Sequence, residues 1–518
     1  MPPNTQILRD RKDKIMKNLS YKTLQEQDYQ GYLLPDAPER ILQFGGGSFL
    51  RGFADYFIDV MNEKVGFNSK VVVCQSFTTG LTNLINEQEG LYTLLERGFQ
   101  DGQQVDDKRI ISSINRSINP NENHSEFIAC SHNPDLRFII CNTTEAGIVY
   151  DPKCNFEDAP ANSFPGKLTQ LLYHRFKHFG PSSDKGLIIL ACELIDDNGK
   201  ELEKCVSRYA KDWNLGNDFT HWLQAHNYFC STLVDRIVTG YPTSEAEAIF
   251  SDLGYRDQLL NACEAFALWV IEGPDFLNNE FPGALAGLPI LVTDNHTPYK
   301  TRKVRILNGA HTSFVMGAYL AGFRIVRDCM KDSVISGFMD KVIYDEIIPT
   351  LDLPKEELEG FASSVAERFN NPFIDHELIA ITLNSTSKWR ARLLPSLKEY
   401  VSRTGETPTC IAASFAFYMA FFSGHTLTEE GLVATSKDGD YLVKDDRNVL
   451  EFFSENKHLS LPKLVHALCI NEAFWGEDLS QIPGFEEEVV KHLTSIHEIG
   501  SYETMKLLTE RNNHDQNH

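Results

Sequence analysis

The sequence predicts an α/β domain followed by an all-helical domain, and three observations carry that reading. Short apolar runs rich in branched aliphatics alternate with helical stripes through the first 296 residues. Beyond Asn295 the strand-like runs give way to helical patterns. Three consecutive glycines stand between the first strand-like run and the first helical one. A chain of 518 residues is also longer than one ordinary domain.

Taken in order, residues 1–36 read as a flexible N-terminal extension, with Met16 as an alternative start. Residues 37–296 read as the α/β domain. "RILQF" (Arg40 to Phe44) is its first strand, and "FLRGFADYFIDVMNE" is a helix with Phe49, Phe53, Phe57 and Met61 along one stripe. "KVVVCQSF", "LRFIICNTTEAG" and "GLIILACELIDDNG" are buried-strand patterns, with a helix "FPGKLTQLLYHRFKHF" between the last two. "STLVDRIVTG" and "LPILVTDN" are further strands. The boundary falls near "NHTPYKTRK", and residues 297–508 read as helices without a strand among them. Residues 509–518 form a polar tail.

Net charge and composition narrow the function. The formal charge of −23 disfavours nucleic acid or an anionic membrane surface as a partner. An acidic substrate is compatible only with a local cluster of cations. The 11 cysteines are scattered without a C-x-x-C pair and read as reduced core residues, and no zinc-ligand spacing occurs. No apolar run is long enough to span a membrane, and the N-terminus has no secretory signal, so the expected location is the cytoplasm.

Phe44, Gly45, Gly46, Gly47, Ser48 and Phe49 occupy the position where a dinucleotide pyrophosphate rests against backbone N–H groups. A tight turn alone also uses glycines, and Leu50 stands where the usual third glycine would be. The next strand ends without an acid or an arginine, so Gln75 is the candidate for the adenosine ribose and NAD the expected cofactor. Thr144 and Glu145 lie at a later strand's carboxyl end, where open α/β sheets bind ligands.

"KVRILNGAHTSF" sets Lys303, Asn308 and His311 in an apolar helical run. On an α-helix Asn308 falls about 140° from Lys303 and His311 about 80° from it, one broad face spanning some 12 Å. An exposed lysine, a capping asparagine and a core histidine would give the same letters. The position at the domain junction favours a site.

These residues resemble the signature of the mannitol dehydrogenase, or polyol-specific long-chain dehydrogenase/reductase, family. "QFGGGSFLRGF", "NTTEAG", "STLVDRIVTGYP" and "AERFNNPFIDHELIAI" resemble its other segments, in the same order and over most of the chain. The resemblance implies a Rossmann-like N-terminal domain and a helical C-terminal domain of the 6-phosphogluconate dehydrogenase C-terminal type, with the active site between them. It implies NAD-dependent, zinc-independent interconversion of a secondary alcohol and a ketone. Lys303 would be the general acid/base, and Asn308 and His311 would bond the reacting oxygen. An alkoxide forming at a ketone is stabilised by donors already in place and quenched by a nearby acid. Where mannitol dehydrogenases carry an oxyanion-binding asparagine, this chain has Leu194, with Asn198 as a possible substitute.

That departure, and the longer matches "CELIDDNG" and "YDEIIPTLDLP", resemble a branch of the family acting on sugar acids. Its substrate is a small sugar acid whose carboxylate needs cations. Arg368, His376, the run Lys388, Arg390 and Arg392, and Arg236 beside Asp235 are the candidates. A different keto sugar acid and neutral polyols are the sibling substrates. A nucleotide-binding sensor without catalysis is the alternative from another class, and the intact Lys303, Asn308 and His311 set speaks against it.

Overall fold

The computed structural model describes residues 16–75, 80–100, 102–144, 146–181 and 183–510. They fall into two units. The first takes the residues up to Arg97 together with Val105–His296; the second takes Gly98–Gln104 together with those from Thr297 onward.

The first unit is built on an eight-stranded sheet. Its strands are β1 (Glu39–Phe44), β2 (Lys70–Cys74), β5 (Ile114–Ile118), β6 (Phe138–Cys141), β7 (Ile188–Ala191), β8 (Tyr228–Asp235), β11 (Leu268–Glu272) and β12 (Ile290–Thr293). A second sheet holds β3 (Tyr92–Gln100), β4 (Gln103–Ile111), β9 (Val238–Gly240) and β10 (Asn261–Glu264). The large sheet runs β12-β11-β8-β7-β6-β1-β2-β5 and is parallel from β5 to β8. β11 then pairs antiparallel to β8, so the far edge is reversed.

The central strands are apolar throughout because both faces are covered. Val71, Val73, Phe138 and Ile140 join one core with Phe53, Phe57, Met61 and Trp269. Val72, Cys74, Ile139 and Cys141 join the opposite core with Leu168, Leu172, Val206 and Trp222. Strand alternation thus feeds two cores at once. All 11 cysteines are free, and all but Cys205 are buried.

The structure departs from the sequence reading in four places. Residues 16–36 are packed rather than loose: Leu19 and Leu24 are buried with Leu91, Ile110 and Tyr255, and Leu19 N–H bonds to Arg256 O at 2.8 Å. The helical stripe after the glycines is two helices, Ser48–Gly52 and Ala54–Val65, broken at Phe53 where φ is −130° and ψ −81°. "STLVDRIVTG" is not one strand, because the chain leaves the large sheet after Asp235 and joins the second sheet as β9.

The second unit is helical but not wholly so. β13 (Thr426–Leu427), β14 (Leu432–Ser436) and β15 (Gly439–Val443) form a small antiparallel sheet. "LVATSKDGDYLV" carried a hairpin signal, an Asp-Gly between alternating apolar residues, that helix periodicity obscured. Around it, helix Thr409–Phe421 is apolar on every side and nearly every residue is buried, as expected of a central helix. It packs on Gly309–Leu320 and on Phe485–Ile499.

Candidate active site

In the first unit, β1 has β2 on one side and β6 on the other, so the sheet order reverses there. Ligands of open α/β sheets bind outside the strand ends at such a point. Gly45–Gly47 follows β1 and Asn142–Thr144 follows β6 in that crevice. Gly45 has φ +116°, and a Cβ on it would stand 3.1 Å from Asn142 O. A Cβ on Gly46 would stand 3.0 Å from Val73, while Gly47 faces open space. Among the described residues no partner takes the N–H of Gly46 or Gly47. Tight approach on one side and open donors on the other fit a dinucleotide phosphate.

Buried polar groups hold this loop from beneath. Gln43 Nε2 donates to Gly45 O at 3.0 Å and to Asp55 Oδ2 at 3.1 Å. Burial pushes the Asp55 carboxyl up to about 7 against the opposing pull of Gln43 and Arg51. Across the crevice, Glu193 Oε1 accepts from Thr143 N and Thr143 Oγ1, both at 3.0 Å. Thr144, the next residue, is exposed with φ +85°, a strained position for a β-branched side chain. Sequence reasoning missed Asp55 and Glu193. Their signal was an acid inside an apolar helix stripe and another at the end of a buried strand.

Several expected contacts are corrected. The Phe44 ring is fully buried against Phe127 and Phe164 in the core, so only its backbone borders the loop. Ser48 and Phe49 are half-buried, with Phe49 stacked on Phe53 at 5.2 Å. Gln75 is buried and its Oε1 accepts from Thr82 Oγ1 at 2.8 Å. Arg236 is sealed inside: it donates to Glu264 O at 2.9 Å and Gly52 O at 3.0 Å, pairs with Glu96 and stacks on Tyr56. It clamps the turn from β8 to β9 and has no face left for a substrate; Asp235 beside it is also buried. Asn198 spends its amide on Glu193 O, Thr232 O, Thr232 N and Gly199 N, all within 3.0 Å. It does not replace the missing asparagine, and Leu194 itself is 69% exposed. Glu145 lies outside the described residues.

The second unit carries the Lys303, Asn308 and His311 set on one long helix. The helix is α over Thr297–Arg302, π over Lys303–Asn308 and α again over Gly309–Leu320. A π turn bonds i to i+5 and winds about 80° per residue rather than about 100°. Asn308 therefore falls about 40° from Lys303, not 140°, and His311 falls within about 20° of it. The three-residue face expected from α geometry is narrowed from about 140° to a stripe of about 60°.

His311 is buried, and its Nε2 has no hydrogen-bond partner among the described residues. Phe369 stacks on its ring at 4.0 Å and 15°, and the His376 ring stands edge-on at 5.4 Å. Burial first, then the positive charges of His376, Arg392, Arg368 and Lys388, hold its pKa well below the usual histidine range. The imidazole is thus neutral. Arg392 Nη1 donates to Thr312 Oγ1 at 3.2 Å, and Thr312 Oγ1 donates to Asn308 O at 3.0 Å. Lys388 Nζ donates to Ile381 O at 2.8 Å. Lys388 and Arg392 are four apart on helix Ser385–Arg392 and share a face, whereas Arg390 points away, with its guanidinium against Gly476. "RFNNPFIDH" contributes both Arg368 and the stacking Phe369. Its loop is gripped by Arg327, which donates to Asn371 O at 3.3 Å and Pro372 O at 2.8 Å and pairs with Asp375.

A nucleotide cradle on an α/β unit and a Lys–Asn–His stripe on a helical unit define a dehydrogenase of the two-domain α/β-plus-helical class. The chain belongs to the mannitol dehydrogenase family: the family's Rossmann-domain model matches residues 39–282 and its C-terminal-domain model residues 295–497. It is 44% identical to the altronate oxidoreductase of Enterobacter sp. (strain 638), over 92% of this chain and 97% of that one. It is also 44% identical to the altronate oxidoreductase of Escherichia coli O7:K1, over 94% and 100%. Among solved structures it is similar to Pseudomonas fluorescens mannitol 2-dehydrogenase in a ternary complex with NAD and D-mannitol. That match has TM-score 0.66 and 21% identity, covering 95% of this chain and 99% of that one. A D-sorbitol dehydrogenase in substrate-free form matches with TM-score 0.75 and 19% identity, over 91% and 96%. No helix among the described residues is long and apolar enough to cross a membrane.

Proposed function

We propose that this protein is an NAD-dependent oxidoreductase that reversibly reduces D-tagaturonate to D-altronate in hexuronate breakdown. The carrying observation is the ring of cations, Arg368, Lys388 and Arg392, around a neutral His311 on the same helix stripe as Lys303 and Asn308. A neutral polyol has no use for three cations, whereas a keto-uronate brings the carboxylate they match. The near full-length identity to altronate oxidoreductases supports the same substrate.

When bound at the glycine loop, the nicotinamide supplies or accepts the hydride at the carbinol carbon. The chain's own residues handle charge and proton. Asn308 and the neutral His311 donate hydrogen bonds to the ketone oxygen as it becomes an alkoxide. Lys303, as an ammonium, gives that oxygen its proton. In the oxidative direction Lys303 takes the proton back. Arg368, Arg392 and Lys388 hold the carboxylate and thereby orient the ketone. His376 closes the same cluster at its exposed side.

The test is NADH oxidation with D-tagaturonate, D-fructuronate and D-fructose, repeated with NADPH. Turnover is expected to be highest with D-tagaturonate and NADH. Preference for D-fructuronate reassigns the protein to fructuronate reduction, and preference for D-fructose to the mannitol or arabitol dehydrogenases. No turnover of D-tagaturonate refutes the proposal.

A further inference from the structure

The catalytic turn has a second, opposite face. Arg305 lies two residues beyond Lys303 in the π turn, about half a turn around the helix from it. Arg390 lies midway between Lys388 and Arg392 and points the other way from both. These two arginines line one groove of about 710 Å³, together with Lys398, Arg403, Glu399 and Trp475. The groove is within the size range of small-molecule sites.

Charge in the groove is uneven. Arg403 pairs with Glu399 at 2.6 Å and Asp352 at 2.8 Å, and Lys398 pairs with Glu477 at 2.8 Å. Among the described residues neither Arg305 nor Arg390 forms a direct ion pair, although Glu399 attracts Arg305 across the groove. Arg305 is half-buried, and among the described residues its guanidinium donates to the hydroxyl of buried Ser396, at 2.9 Å. The Arg390 guanidinium lies against Gly476, whose φ of +79° already favours glycine at that helix end. Arg390 is exposed and Arg305 half-buried, and the groove sets four cations against three carboxylates, Asp352, Glu399 and Glu477, so it carries a positive excess.

We propose that this groove is a second anion site, in which Arg305 and Arg390 bind the phosphate group of a small phosphorylated metabolite. Two guanidinium forks match the terminal oxygens of a phosphate dianion, whereas a single carboxylate satisfies one fork. The volume beyond the phosphate accommodates a sugar-sized remainder. Because Arg305 belongs to the turn that aligns Lys303 with Asn308, an occupant of the groove bears on the geometry of catalysis. The site is independent of which sugar acid is the substrate.

The test is titration calorimetry of the full chain saturated with NADH, in phosphate-free buffer, with inorganic phosphate and with glucose 6-phosphate as probes. Sodium chloride at matched ionic strength is the control. Wild type is expected to bind both probes, glucose 6-phosphate more tightly, and to change its kcat for the sugar acid when they are bound. R390Q is expected to lose at least about tenfold in affinity and the kcat response, while keeping wild-type activity without phosphate. R392Q, on the front face, is expected to bind the probes as wild type does. Unchanged binding in R390Q overturns the proposal. So does loss of binding in R392Q alone, which moves the anion to the front cluster, and so does an equal response to chloride.

Discussion

The glycine loop and the π turn are built by opposite means. At the loop the groups left open are backbone N–H donors, and side chains such as Gln43 and Asp55 hold the loop from beneath. At the turn the candidate groups are side chains, and the backbone positions them by changing its pitch. The first arrangement tolerates little side-chain bulk and depends on buried hydrogen bonds. The second tolerates varied neighbours but depends on the register of one helix. Damage to the first should therefore appear in cofactor binding, and damage to the second in turnover.

Lys303→Ala is the strongest way to break this contrast. Turnover is expected to fall by about a thousandfold or more while the NADH dissociation constant stays near wild type. Comparable loss of NADH binding would show that the lysine serves the cofactor instead. Arg392→Gln should come next, raising KM for the sugar acid by roughly 10- to 100-fold and leaving D-fructose turnover nearly unchanged. An equal effect on both substrates would mean that Arg392 shapes the site rather than reading the carboxylate. Asp55→Ala should raise KM for NADH by about tenfold, with little change in kcat at saturating cofactor.

The smallest effect concerns stability. Glu346 is buried and caps helix Thr409–Phe421, accepting from Cys410 N and Ile411 N, both at 2.7 Å. Burial lifts its carboxyl to about 7 despite those bonds. An unfolded chain releases this proton first, so the folded state loses stability as pH rises from the ordinary glutamate range to about 7. Below that window the contribution is complete; above it, it is gone. Melting temperatures of Glu346→Gln between pH 4.5 and 8 should therefore fall less steeply with pH than those of wild type. Parallel curves would show that Glu346 titrates normally.

Much of both regions was legible in the sequence because it depends on local spacing. Glycines between a strand and a helix mark a cradle wherever the sheet is twisted and parallel. A lysine, asparagine and histidine in one helical run must share a helix. Other features were not legible because they depend on residues far away in the chain. Arg236 looked like a free cation beside an acid, but Gly52, Glu96 and Glu264 surround it. Asn198 looked available, but Glu193 and Thr232 use all of its amide. The run Lys388, Arg390 and Arg392 read as one patch, and helix packing split it between two faces.

By itself, then, the sequence determined the order of the α/β and helical units and placed a glycine loop after the first strand and a lysine, an asparagine and a histidine in one helical run. Those follow from periodicity and spacing, whereas the proposed acid–base roles come from the family resemblance. Tertiary structure alone decided how the set is aimed. A spacing of five is wrong for one face of an α-helix, and only the π pitch of Lys303–Asn308 makes the side chains at its two ends neighbours, as i and i+4 are elsewhere. The helices that pack against that turn, Lys355–Phe369 and Ser385–Arg392, lie far along the chain, beyond any local window.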